Sequence, residues 1–206
     1  MRFRSTPLQI LFSILFLVIG STGRAQNLEG AALVRALERG GYVVVMRHAS
    51  SPSDPPAKDS ADAENTRDER QLDEKGRTTA TAMGKALHNL MIPVGEVLSS
   101  PTYRALETVK YAQLGTARAY PELGDNGKSM QGGSVEQSHW LQNKVTQFPS
   151  RANTFIVTHN PNITAAFPQI GSPVADGEAL VFGPDGKGGA TIVARIKIEE
   201  WPSLRP

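Results

Sequence analysis

The sequence predicts an α/β fold: a three-layer sandwich in which helices flank both faces of a mostly parallel sheet. Three observations predict it. Residues 42–46 and 154–158 are short, uninterrupted runs of apolar and β-branched residues, the pattern of strands buried on both faces. Stretches of helical period alternate with the strand-like runs, as helices that cover a parallel sheet must. Three of these runs pass directly into polar residues, at Arg47-His48, Ser100-Pro101 and His159-Asn160. Open α/β sheets bind ligands beyond the carboxyl ends of their strands.

Taken in order, residues 27–39 are expected to form an amphipathic helix with Leu33, Ala36 and Leu37 inward, ended by Gly40-Gly41. The strand 42–46 comes next. Residues 49–70 are rich in Ser, Pro and Asp, hold six acids and three bases, and form a loop. A loop of this length is either a solvated surface segment or a flap beside a site. Asp73 caps a helix running to about Met91, with Ala80, Met83, Leu87 and Leu90 as its buried stripe. Residues 96–99 make a short strand, and Ser100 as N-cap with Pro101 in the first turn starts the next helix. Residues 117–120 form another short strand, 124–133 a loop and 134–148 a helix. After the strand 154–158, Asn160-Pro161 repeats the cap-plus-proline start. Residues 178–182 and 190–198 are two closing strands around a Gly/Pro/Asp turn at 183–189.

The chain of 206 residues contains no cysteine, which excludes a disulfide framework, a thiolate metal site and a cysteine nucleophile. It opens on Met1-Arg2-Phe3-Arg4, continues through an apolar run from Leu8 to Gly20, and reaches small residues around Gly23-Arg24-Ala25. That is the three-part form of a secretory signal peptide with a cut after Ala25, and its apolar run is too short to span a bilayer. The expectation is a leader at 1–25, one domain over 26–206, and a periplasmic or secreted protein with no membrane anchor after cleavage. The formal charge of +2 then belongs to the precursor. Loss of Arg2, Arg4 and Arg24 leaves 19 of the 22 basic residues against 20 acids, a net charge of −1. Such a charge gives no support to a nucleic-acid partner.

Arg47, His48, Arg104 and His159 therefore converge, on this topology, at one end of the sheet. Two guanidiniums offer forked donors that match phosphate oxygens. Helices beginning near Ser100 and Asn160 would add backbone N–H groups. Nearby positive charge disfavours protonation of an imidazole, which leaves a nitrogen lone pair free to act as a nucleophile. The expected ligand is a phosphate group and the expected chemistry is phosphoryl transfer to histidine. The remaining histidines read differently: His88 lies on the polar side of its helix, and His139 is a packing or surface residue.

The sequence here resembles the histidine phosphatases, the phosphoglycerate mutase-like superfamily. The matching stretches are Val43-Val44-Val45-Met46-Arg47-His48-Ala49, Leu72-Asp73-Glu74-Lys75-Gly76-Arg77, Ser99-Ser100-Pro101-Thr102-Tyr103-Arg104-Ala105-Leu106-Glu107-Thr108 and Val157-Thr158-His159-Asn160, in the family's order and spanning residues 43 to 160. The resemblance implies that His48 is the phosphorylated nucleophile and that Arg47, Arg104, His159 and Asn160 complete the phosphate pocket. It implies no metal and no cofactor. Two positions depart from the family pattern: Ala49 and Asn160 stand where many members carry glycine.

A leaving oxygen needs a proton from a carboxylic acid. The family's acid often lies after the second arginine helix, which makes Glu122 the first choice, Asp125 the second and Glu178 a distant third. The reading is an exported phosphomonoesterase acting on a phosphorylated small molecule or an exposed phosphoryl group. A phosphomutase on the same scaffold is the alternative, and so is a non-catalytic binder of phosphorylated ligands. Nothing in the sequence specifies an oligomer.

Overall fold

A continuous apolar strand needs two hydrophobic walls, and β1 (Val43–Arg47) has them. Val44 and Met46 face one core with Leu33, Leu37, Met83, Phe155 and Trp201, whereas Val43 and Val45 face a second with Leu98, Leu141, Ile156 and Ile163. Side chains alternate across a strand, so an apolar residue at every position serves both sides. The computed structural model describes residues 27–52, 70–125 and 133–206. The expected leader at 1–25 and most of the loops expected at 49–70 and 124–133 lie outside the described residues.

The other strands are β2 (Val94–Ser99), β3 (Arg118–Ala119), β4 (Asn153–Thr158), β5 (Ala179–Pro184) and β6 (Ala190–Ile196), in the sheet order β3-β2-β4-β1-β5-β6. Pairs β1/β4, β2/β4 and β2/β3 are parallel, and β5 runs antiparallel to both β1 and β6. Among the described residues five strands thus share one direction and β5 opposes them, which is the mostly parallel sheet expected. The helices are α1 (Gly30–Arg39), α2 (Glu74–Asn89), α3 (Tyr103–Tyr111), α4 (Val135–Lys144) and α5 (Asn160–Ala166). The first three build the core that holds Met46; α4 and α5 build the one that holds Val45.

Several boundaries differ from the expected ones, each for a physical reason. The first helix starts at Gly30 because the Leu28 N–H is used elsewhere, donated at 2.6 Å to the Val193 carbonyl on the edge strand β6. It stops at Gly40, whose φ is +74° and where a Cβ would lie 2.6 Å from the Ala152 nitrogen. Asp73 caps α2 as expected, accepting from the Gly76 N–H at 2.7 Å. Ser100 is not a helix cap: α3 begins after Thr102, and the Ser100 hydroxyl is engaged with Thr102 and His159. The helix expected to reach Phe148 ends at Lys144, where Thr146 and Gln147 turn back in tighter three-residue steps onto Asn143 and Lys144. At α5 the cap position is His159, not Asn160; the Asn160 side chain accepts the Val174 N–H at 2.7 Å instead. Glu178 precedes β5 rather than opening it.

Trp201 belongs to a 3-10 segment, Ile198–Ser203, that packs against α2, and its ring is fully buried. His88 and His139 are exposed on the surface.

Candidate active site

Backbone register brings the two histidines together. In the β1/β4 pair Arg47 stands opposite Thr158, and the ladder continues one step as the His48 N–H donates to the Thr158 carbonyl at 3.0 Å. The next residue on β4 is His159. Ser99 pairs with Val157 on the other side of β4, and the Ser100 N–H donates to the Val157 carbonyl at 2.8 Å. Three strand ends therefore deliver His48, His159 and the Ser100 segment to one place. The imidazoles meet edge to face, with centroids 5.3 Å apart and planes at 63°.

Hydrogen-bond chemistry fixes the tautomers. His48 Nδ1 lies 2.8 Å from the Ala49 carbonyl, which can only accept, so Nδ1 carries the proton. His48 Nε2 is then bare and receives the Nε–H of Arg104 at 3.2 Å. An Nη2–H of Arg104 lies 3.1 Å from His159 Nδ1; guanidinium only donates, so this nitrogen is bare as well. His159 Nε2 carries its proton and donates to Ser100 Oγ at 2.9 Å, which in turn donates to Thr102 Oγ1 at 3.1 Å.

Arg104 is the centre of this arrangement. Its side chain is fully buried, on the first turn of α3, and it also forms an ion pair with the buried Asp125. Asp125 is seated there by the peptide before it, whose Gly124 carbonyl accepts from Asn162 on α5 and Gln137 on α4, both at 2.9 Å. Thr108, one turn along α3, donates to the Arg104 carbonyl at 2.8 Å and accepts the Ala49 N–H at 3.0 Å. That hydroxyl ties the His48 segment to the Arg104 helix.

Arg47 sits at the more exposed side of the site. It donates to the Val174 carbonyl at 3.1 Å and pairs with Asp176 at 2.7 Å. Asn160 holds the same loop at the Val174 nitrogen, so it acts here on the backbone that receives the Arg47 side chain. Glu122 lies on the 3-10 turn Pro121–Leu123, and among the described residues its carboxylate makes no hydrogen bond or ion pair with Arg47, His48, Arg104 or His159. Glu178 is paired with Arg195. Of the three carboxylates expected from the sequence, Asp125 is the one seated on a pocket guanidinium.

Three contributors escaped the sequence reading. Arg70 is half-buried, and its guanidinium feels Arg104, Asp125, Arg47 and Asp176; burial foremost, then Arg104, push its pKa down to about 10, which leaves it cationic at neutral pH. Two residues on, the Leu72 N–H is accepted by the buried Glu107 at 2.9 Å and its carbonyl accepts from Arg77 at 2.5 Å. The available signal was its position two residues before the Leu72-Asp73 helix start. Asp176 is the second. Gly76 is the third: a Cβ there would lie 2.1 Å from the Ser50 carbonyl oxygen, so the glycine lets α2 press against the segment after His48. Ala49 is fully buried, its methyl group in the same core as Leu72 and Val109.

Burial, then the charge of His159 and Arg104, holds the His48 pKa well below the free value of 6.5; burial, then Arg104, Arg70 and Arg47, does the same to His159. Both rings are neutral at pH 7, as a nucleophile requires. Below pH 6.5 the unfolded chain takes up protons on these two residues while the folded protein does not. Stability from this pair is therefore complete above pH 6.5 and lost as pH falls towards the folded values. Urea unfolding of the wild type and of His48→Gln at pH 7 and pH 5 checks this: the wild type is expected to lose more stability over that interval than the variant. Equal losses would contradict it.

No protein-family profile matches the chain, and no curated protein sequence matches it. Solved structures do. A protein histidine phosphatase SixA, determined with tungstate, is 20% identical, with a TM-score of 0.55 over 76% of this chain and 97% of its own. A protein from Agrobacterium tumefaciens bearing the name phosphohistidine phosphatase SixA is 16% identical, with a TM-score of 0.53 over 76% of this chain and 97% of its own. YhfR of Bacillus stearothermophilus is 18% identical, with a TM-score of 0.52 over 73% and 94%. The likeness shows the fold: this chain has the α/β sandwich of the histidine phosphatases.

Proposed function

We propose that the protein is a phosphatase that passes the phosphoryl group of a phosphate monoester to Nε2 of His48 and then to water. One observation carries the reading. His48 is locked by the Ala49 carbonyl into the tautomer whose bare Nε2 faces the guanidinium of Arg104. The phosphorus–oxygen bond to the leaving group breaks as the bond to Nε2 forms, and water later takes the phosphoryl group to give inorganic phosphate. Arg104, Arg47 and Arg70 offer the positive charge that the three phosphoryl oxygens need in flight. Asp125, ion-paired with Arg104, is the carboxylate seated in the pocket, and the leaving oxygen takes its proton from solvent. The leader-like segment at 1–25 supports action outside the cytoplasm. The fold shared with the SixA phosphatases supports a small or exposed phosphoryl group as substrate.

Rapid quenching with a ³²P-labelled phosphomonoester tests the reading. The expected result is an acid-labile, base-stable phosphoenzyme, absent from His48→Ala, together with steady release of inorganic phosphate. Label accumulating in His48→Ala removes His48 as the nucleophile. Saturable binding without phosphate release favours a non-catalytic binder.

A further inference from the structure

Arg195 lies on β6, beyond the described contacts of the phosphate pocket, yet it makes four hydrogen bonds to one loop. Its Nε donates to Glu178 Oε1 at 2.5 Å, and its terminal nitrogens donate to Glu178 Oε2 at 3.0 Å, the Pro173 carbonyl at 2.8 Å and Ser172 Oγ at 2.9 Å. Glu178 spends its second oxygen again on the Ala175 N–H, at 2.8 Å. These contacts bracket the two groups that hold Arg47. Ser172 and Pro173 lie just before Val174, whose carbonyl accepts from Arg47; Ala175 and Glu178 flank Asp176, which pairs with it. The turn is closed at its far side by the Gly177 N–H on the His48 carbonyl at 2.9 Å, and β5 starts one residue after Glu178.

The chemistry fits a clamp better than a surface ion pair. A forked guanidinium makes two hydrogen bonds to a carboxylate and two to further acceptors at once, one more than the three donors of an ammonium allow. Glu178 is almost buried, at 7% side-chain exposure, whereas Arg195 is 30% exposed, so the carboxylate is the fixed partner and the arginine closes over it. Burial raises the Glu178 pKa, but the hydrogen bonds from Arg195 and Ala175 outweigh that and keep the group ionised.

We infer that Arg195 and Glu178 are positioning residues that fix the 172–178 loop, and through Val174 and Asp176 the guanidinium of Arg47, for a phosphate oxygen. The inference rests on the pocket being the phosphate site proposed above. Small displacements of an orienting group are costly in such sites.

The test is the affinity of the intact protein for inorganic orthophosphate, by titration calorimetry at a temperature where every variant is folded, with kcat and KM measured alongside. Arg195→Ala and Glu178→Gln are each expected to weaken orthophosphate binding and raise KM by about tenfold or more. Arg195→Lys, which keeps the charge and loses the fork, is expected to fall between them and the wild type. Arg118→Ala, which breaks an exposed ion pair with Glu96 on another strand, is the control and leaves affinity unchanged. Lower melting temperatures with unchanged affinity and KM in both Arg195→Ala and Glu178→Gln would overturn the inference, because a purely structural brace behaves that way. A wild type that binds orthophosphate but turns over no phosphomonoester would defeat the proposed function and leave the clamp to be judged on affinity. A wild type that binds no orthophosphate defeats both.

Discussion

Arg104→Ala is expected to lower kcat/KM for a phosphomonoester by about a thousandfold. Loss of one donor aimed at developing charge costs about 10²–10³ in rate, and Arg104 does more than donate once. Its Nε holds the bare nitrogen of His48, and a terminal nitrogen reaches both His159 and Asp125. On the proposed function, truncation removes a phosphate ligand and the contact that orients His48 together. It also leaves Asp125 buried without its cation, and breaking a buried pair costs about 3–5 kcal/mol. Lost activity in the single variant could thus reflect an unfolded protein. Arg104→Ala combined with Asp125→Asn separates the two effects: stability is expected to recover substantially while turnover stays low. Turnover near the wild-type value in a folded Arg104→Ala protein would take Arg104 out of the pocket.

Trp201→Ala is expected to cost about 3–5 kcal/mol of stability, the usual range for deleting a large buried aromatic, and to lower the melting temperature by about 10 °C. The ring is fully buried and belongs to the same core as Met83, Leu87 and Met46. The segment that carries it docks on its own domain, against α2. Trp201→Phe is the informative companion. Among the described residues the buried Trp201 Nε1–H has no acceptor, so phenylalanine removes an unsatisfied donor while keeping most of the ring. Thermal unfolding should place Trp201→Phe close to the wild type. An alanine variant as stable as the wild type would mean that the 198–203 segment is not docked in solution.

The architecture was legible because its main signals are one-dimensional. An apolar run such as Val43-Val44-Val45-Met46 has to be walled on both sides, and Arg47, His48 and His159 stand out as the first polar residues after two such runs. Arg104 came from its place in the first turn after β2. The features that could not be read depend on partners distant in sequence. Arg70 ends a polar stretch without periodicity, and the charges it faces, Arg104, Asp125, Arg47 and Asp176, are distant in sequence. Asp176 matters only because its loop is pinned by Arg195 and Asn160. Ser100 looked like a cap because Ser-Pro so often is one, but here a buried imidazole competes for the hydroxyl and wins. As loop carboxylates, Glu122 ranks first and Asp125 second in the sequence. Gln137 and Asn162, from two helices, separate them by gripping the Gly124 carbonyl.

The pairing of β1 with β4 has a consequence for how the site comes into being. Contacts this far apart in the chain carry a heavy loop-closure cost and form slowly, after the local helices. Both imidazoles sit at the end of the β1/β4 ladder that sets Arg47 opposite Thr158, so the meeting of the two rings depends on that long-range register. Occupancy by an anion then rewards only the finished fold, and every increment of ligand affinity is passed to global stability by mass action.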